Sequence, residues 1–259
     1  MTSTVKKLIR NLFKNFGYEI FYTGKESGNY PGGPGRPIGN MSKLLQDMKA
    51  RGLSCSTILD VGANTGHWSR IAKSVFPSSK CILIEPLVET IPALEKFIKD
   101  FPGSVHIPFG AGAEATQLTF TVWDDLQGSS FIPDENKTLR EKGKQRSIKV
   151  VRIDDLIADK QLPIPDLIKL DIQGFELEAL KGASSTFGVT EVYILEVSLF
   201  RFDPKVPLIT DVIRFMEERN YSVYDFPGFL RRPYDGALGQ CDICFVKSSG
   251  LFRNSVAWD

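Results

Sequence analysis

The run Thr57-Ile58-Leu59-Asp60-Val61-Gly62-Ala63-Asn64-Thr65-Gly66 constrains this chain more than any other. Its unbroken apolar stretch ending in two glycines reads as a short buried strand entering a tight turn. One helix length later, Cys81-Ile82-Leu83-Ile84-Glu85-Pro86 reads as a second buried strand that ends in an acid. Strand, glycine turn, helix and strand make a βαβ unit, which takes its ligand at the carboxyl ends of the strands. Gly62 and Gly66 let the backbone approach a ligand where a Cβ would collide. Glu85 is placed to accept two hydrogen bonds from a ribose diol. The turn is Gly-x-Asn-x-Gly, not Gly-x-Gly-x-x-Gly, and Asp60 at the strand end would repel a pyrophosphate. A nucleoside cofactor with a cationic amino-acid end and no phosphate fits better, and S-adenosylmethionine is such a molecule.

The rest of the chain continues the alternation. Helices are expected at 41–51, 67–76, 91–101, 175–181 and 208–220. Buried strands are expected at 57–61, 81–85, 105–109, 166–171 and 192–197, with a closing pair at 221–226 and 241–246. Strands alternating with helices give an α/β fold with a doubly wound, mostly parallel sheet. The closing strands are separated by a loop alone, so the last of the seven is expected to be antiparallel. Between 105–109 and 166–171 the rhythm changes. Leu118–Trp123 alternates polar and apolar residues, and 147–153 is again strand-like. This reads as a small inserted β pair joined by the charged run 134–146.

At 259 residues, with 32 basic and 31 acidic side chains, the chain carries a formal net charge of only +1. No global field argues for a nucleic-acid partner. No apolar run reaches the ~20 residues that span a bilayer, and no signal-peptide pattern is visible. The four cysteines suit a reducing compartment, so a cytoplasmic protein is expected. The pair in Cys241-Asp242-Ile243-Cys244 lies in a strand, where alternation sends the two thiols to opposite faces.

Ahead of the βαβ unit, residues 5–16 suit an amphipathic helix, with Leu8, Ile9, Leu12, Phe13 and Phe16 on one face. That face is expected to pack on the body or on a second subunit. Its flanking lysines leave a weak peripheral membrane contact open. Residues 24–40 hold six glycines and three prolines and read as a loop. The expected division is therefore an N-terminal segment, 1–52, and a main domain, 53–259.

Four segments together resemble the FkbM family of S-adenosylmethionine-dependent methyltransferases. They are 60–66, Ile84-Glu85-Pro86, the run Ile168-Lys169-Leu170-Asp171-Ile172-Gln173-Gly174-Phe175-Glu176, and Leu180-Lys181-Gly182-Ala183. Gln240-Cys241-Asp242 is similar to a further pattern of that family. The resemblance implies a Rossmann-like sheet and methyl transfer to an oxygen, often a hydroxyl of a sugar or polyketide. Position 173 is often Glu in the family and is Gln here.

Cofactor contacts are expected from Asp60, Gly62, Asn64, Gly66, Glu85 and Pro86, with Gly110, Ala111 and Gly112 beside the adenine. A hydroxyl acceptor benefits from a base. Asp171, Glu176 and Glu196 stand at or just beyond the ends of neighbouring strands and are the expected catalytic acids; no metal is assigned. Trp68, Trp123, Arg231, Arg232 and Tyr234 are candidates for the acceptor side. The expected partner is a small-molecule or glycan acceptor, with a homo-oligomer left open. Two other readings stand beside this one: a nicotinamide-dependent dehydrogenase, and a noncatalytic protein that binds S-adenosylmethionine.

Overall fold

The computed structural model describes residues 35–131 and 144–257. The expected helix at 5–16 lies outside these residues, as do most of the loop 24–40 and of the charged run 134–146. In chain order the elements begin with α1 (Met41–Ala50), β1 (Thr57–Val61), α2 (His67–Val75), β2 (Lys80–Ile84) and α3 (Ile91–Asp100). Then come β3 (Val105–Ile107), β4 (Gly110–Ala111), β5 (Thr116–Thr121), β6 (Gln145–Val151) and α4 (Ile153–Asp159). The remainder is β7 (Leu167–Leu170), α5 (Glu176–Lys181), β8 (Val192–Ser198), α6 (Ile209–Glu217), β9 (Tyr221–Arg231) and β10 (Leu238–Lys247).

Seven strands form one sheet in the order β3-β2-β1-β7-β8-β10-β9. The pairs from β3 through β8 are parallel, and β10 runs antiparallel to both β8 and β9. The chain winds outward from β1 to β3, then returns to the other side of β1 with β7. That reversal leaves a crevice above the carboxyl ends of β1 and β7, where ligands bind in such sheets.

Strand alternation explains why both faces are apolar. Ile58 turns toward a core filled by α1, α2 and α3, including Leu44, Met48, Ala72 and Phe97. Leu59 and Val61 turn the other way, to a core with Ile153, Leu180, Val212 and Met216 from α4, α5 and α6. Each fully buried side chain of this kind contributes ~1.5–3 kcal/mol. Leu44, Leu45 and Met48 of α1 are completely buried, so the packed body already includes residues ahead of position 53. Cys241 and Cys244 belong to opposite cores, as alternation requires.

The insertion differs from its expected form. It is a three-stranded sheet in the order β4-β6-β5, because Gly110 and Ala111 leave the main sheet and pair with Val150 and Val151. The strand expected to run through Ile153 stops at Val151, and α4 follows. Asp154 and Asp155 occupy the first turn of α4, where the helix dipole favours acids. Asp154 also accepts hydrogen bonds from the amides and hydroxyls of Ser184 and Ser185, which holds α4 against the segment after α5.

Candidate functional site

The glycine turn is built from left-handed residues: φ is 79° at Gly62, 47° at Asn64 and 76° at Gly66. A Cβ on Gly62 would run into the carbonyl oxygen of Asp171, so glycine is what lets the end of β1 meet the end of β7. All five amides from Gly62 to Gly66 are already satisfied. Gly62 and Ala63 donate to the Ile84 carbonyl, Asn64 to the Glu85 carboxylate, Thr65 to the Asn64 side chain, and Gly66 to the Ala63 carbonyl. The turn therefore offers no free N–H groups to a pyrophosphate, which argues against a dinucleotide. Gly62→Ala is expected to cost ~1–3 kcal/mol through strain at positive φ, with the collision added. Urea midpoints and cofactor calorimetry read the two effects; if both match the parent protein, the close approach is not needed.

Asp60 and Glu85, the two strand-end acids, have different places. Asp60 is fully buried beneath the turn, accepts 2.6 Å from the Ser69 hydroxyl, and leaves its Oδ1 without a partner. Burial raises its pKa, against the pull of Lys169 and Ser69. It does not line the cleft, so its expected direct contact with a ligand is replaced by support of the turn from below. Glu85 does line the cleft. Its two oxygens accept from Asn64 N at 2.8 Å and Leu87 N at 2.9 Å, which fixes the carboxylate's plane. Burial pushes its pKa up to about 7 despite those two bonds. Asn64, Pro86, Gly110 and Ala111 share the cleft wall. Two expected contacts fall elsewhere: Gly66 packs on Phe97, and Gly112 faces a separate smaller cavity beyond Val150.

The opposite half of the cleft floor comes from strand register. Asp60 pairs with Lys169 across β1 and β7, and Glu196 pairs with Asp242 across β8 and β10. Asp171 follows β7 by one residue and stands level with Glu196. Side chains two apart share a face, so Lys169 and Asp171 point to one side. The Lys169 ammonium donates to Asp171 Oδ2 at 2.7 Å, and the Gln173 amide donates to Asp171 Oδ1 at 3.1 Å. Gln173 also donates to Glu196 at 2.8 Å, as does Gln240 at 3.1 Å.

These contacts set the charges. Burial works against the Lys169 ammonium, but Asp171 and Asp60 beside it hold its pKa above the ordinary value. Burial would raise Asp171, yet the Lys169 charge and hydrogen bonds from Lys169, Glu196 and Gln173 keep it below the usual range. Burial and the charge on Asp171 push Glu196 up to about 9. At neutral pH the two carboxyl groups thus share one proton, with the negative charge on Asp171. Asp242 is raised to about 6, chiefly by burial.

Glu176, expected as a third catalytic acid, does not reach the cleft. It is buried, and its Oε1 accepts from Ile172 N at 3.0 Å and Gly174 N at 3.2 Å. It clamps the turn in which Gln173 and Gly174 take φ of 54° and 97°. Its part is to hold Gln173 against Asp171. Trp68 lines the cleft with the Lys169 ammonium 5.9 Å from its ring, whereas Trp123 does not. Arg232 is held by Asp235 at 3.1 Å and Arg231 by the Gly236 carbonyl at 2.8 Å; from β9 it is Leu230 that lines the cleft.

The resulting cavity measures about 830 Å³. One end has apolar walls from Leu87, Phe109, Phe120, Leu126 and Phe131, beside Glu85. The other ends on Lys169, Asp171, Gln173, Glu196, Gln240 and Asp242. An apolar slot next to a buried carboxylate has the chemistry to hold a nucleoside. Lys169, Gln240 and Asp242 were not among the expected site residues, although alternation in β7 and β10 puts them on the same face as the acids. The wall at Leu126–Phe131 carried no comparable signal. Among the described residues no cluster of three or more acid, histidine or cysteine side chains is arranged to hold a metal ion.

The chain is similar in sequence to known proteins. The sequence pattern of the methyltransferase FkbM domain matches residues 60–223. Methyltransferase sdnD of Sordaria araneosa is 28% identical over 153 residues, covering 48% of this chain and 59% of that protein. Hexuronic acid methyltransferase AglP of Haloferax volcanii is 26% identical over 164 residues, covering 63% of this chain and 62% of that protein. The chain thus spans about six-tenths of the length of these relatives. Among solved structures, the O-methyltransferase TomG of Streptomyces achromogenes in complex with SAM aligns with 80% of this chain and 79% of its own, at 12% identity and a TM-score of 0.44. The domain match runs from Asp60 into β9 and takes in the glycine turn, Glu85, Asp171 and Glu196, stopping short of Gln240 and Asp242, and the chain belongs to the FkbM family of S-adenosylmethionine-dependent methyltransferases.

Proposed function

We propose that this protein transfers a methyl group from S-adenosylmethionine to a hydroxyl oxygen of a sugar, glycan or secondary metabolite. The observation that carries this reading is the single cavity shared by the glycine turn with Glu85 and by Asp171 and Glu196, which Gln173 bridges. AglP, by its name, is a hexuronic acid methyltransferase, which supports a hydroxylated acceptor here. Glu85 takes the ribose hydroxyls, Asn64 and Pro86 border them, and the adenine lies along the wall of Phe109, Ala111 and Phe131, with Phe131 packed on Gly110. Asp60 and Gly66 shape the turn from behind.

The bound cofactor supplies a methyl group already activated by its sulfonium centre. The protein's task is the proton that the acceptor hydroxyl loses as its oxygen gains that methyl. Asp171 carries the negative charge that attracts it, and Glu196 beside it already holds one proton. Gln173 and Gln240 fix both carboxyl groups, so the pair needs no reorganisation when a second proton arrives.

Labelled S-adenosylmethionine offered with a panel of hydroxylated acceptors tests the reaction. Label on an ether oxygen is the expected product; label only on nitrogen or carbon would rule the reading out. The ribose role has its own test. Hydroxyl donors favour the ionised carboxylate, and burial pushes the Glu85 carboxyl up to about 7. Cofactor affinity should therefore rise from about pH 6 to about pH 8. Glu85→Gln should flatten that rise and weaken binding by ~1.5–3 kcal/mol. Unchanged affinity and an unchanged pH profile would remove Glu85 from the ribose.

A further inference from the structure

Asp242 is the one acid of the cleft's acceptor end that the proton-sharing pair does not use. It lines the cavity and stands opposite Glu196 in the β8–β10 register. No described residue makes a hydrogen bond to its carboxylate, whereas every other polar side chain beside it is engaged: Lys169 with Asp171, and Gln173 and Gln240 with Glu196. Its space is kept clear from the far side as well. Gly228 faces it across β9, and a Cβ there would run into Asp242 Oδ2. A half-buried carboxylate without a donor is costly unless a ligand supplies one.

We propose that Asp242 accepts a hydrogen bond from a second hydroxyl of the acceptor, so that this protein methylates one member of a vicinal diol, as found on a sugar ring, rather than an isolated alcohol or phenol. The inference rests on the hydroxyl-methylation reading above and narrows its substrate class. Directly paired residues of adjacent antiparallel strands hold their Cβ atoms ~4.5–5.5 Å apart. Glu196 and Asp242 therefore project from neighbouring positions on one face of the sheet, with the Asp242 carboxylate lying over Gly228, which leaves room between them for two neighbouring hydroxyls. One hydroxyl meets the Asp171–Glu196 pair and reacts. The other donates to Asp242 and sets which oxygen lies against the pair. The Lys169 ammonium, bonded to Asp171 and attracted to Asp242, helps keep the second carboxylate ionised once the diol has excluded water.

The test pairs p-nitrophenyl glycosides with their monodeoxy analogues, together with simple alcohols and phenols, and locates the transferred methyl in each product. The parent protein should prefer an intact diol over the analogue lacking the neighbouring hydroxyl by about a hundredfold in kcat/KM, the loss expected for a charge-assisted bond. In Asp242→Asn that preference should collapse toward one, through a raised KM for the intact diol. Gly228→Ala, which pushes Asp242 aside without removing it, should do the same. Equal use of diol and deoxy analogue by the parent protein would overturn the inference. So would equal losses on both substrates in the variants, which a merely structural acid would give. Turnover of phenols or isolated alcohols alone would overturn it and leave oxygen methylation standing. Cofactor binding with no methyl transfer to any hydroxyl would bring down the reaction reading itself.

Discussion

Asp171→Asn is expected to bind cofactor close to normally and to lose turnover by about 10²–10⁴-fold, the range for removing a positioned base. The amide keeps the shape of the carboxylate and a bond from Gln173, so the cleft wall stays in place. What disappears is the negative charge between Lys169 and Glu196. Glu196, pushed up to about 9 largely by burial and by that charge, then loses the second of those causes, but burial still holds it above its ordinary value and makes it a poor substitute for the lost base. Glu196→Gln should cost less, because Asp171 keeps its charge. Single-turnover rates at saturating acceptor, with melting curves run alongside, separate chemistry from stability. Turnover near the parent value in Asp171→Asn would remove this residue from the reaction.

Lys169→Met is expected to destabilise the fold by ~2–4 kcal/mol, somewhat below the full cost of orphaning a buried ion pair. Two features set the size. The Lys169 side chain is 6% exposed, while that of Asp171 is 32% exposed, so water screens part of the orphaned charge. The pH dependence follows from the shifts. Lys169, raised, stabilises the fold below its ordinary pKa of ~10.4 and loses that effect as pH rises through its higher folded value. Asp171, lowered, stabilises above its ordinary ~3.9 and loses that effect as pH falls through its lower folded value. The gap between parent and variant should thus be widest near neutrality and close toward acid, where Asp60 and Asp171 take up protons. Urea midpoints at several pH values measure it. A gap that stays constant down to pH ~3 would mean that lost packing, not charge, is responsible.

Sequence alone was enough for the parallel core because its strands are continuous apolar runs that alternate with amphipathic helices. Leu59-Asp60-Val61-Gly62 and Lys169-Leu170-Asp171 could be placed at strand ends without coordinates. Three things were less accessible. The third strand of the insertion, Gly110–Ala111, is two residues long and forms through pairing with Val150 and Val151, a non-local event. The helix Ile153–Asp159 begins where a β-rich run ends, so the first turn's acids were its only local sign. The direction of a carboxylate is also not periodic information. Glu176 sits three residues from Gln173, yet it turns back to the amides of Ile172 and Gly174 and leaves the cleft to its neighbour. Asp60 likewise ends a strand at the right height but points beneath the turn to Ser69.

The position of β10 has a consequence for the order in which the molecule can acquire its abilities. The turn, Glu85 and the strands around them come from the contiguous stretch 57–107, whose contacts close short loops and can form early. The acceptor floor draws on Asp171, Glu196 and Asp242, and its last member sits on a strand that must insert between β8 and β9. Closing that register joins segments separated by more than forty residues, an entropically slower event. A refolding chain should therefore pass through a stage at which the glycine turn and Glu85 are in place while the floor of Asp171, Glu196 and Asp242 is incomplete. Docking of the final hairpin is then the step that closes the cleft floor.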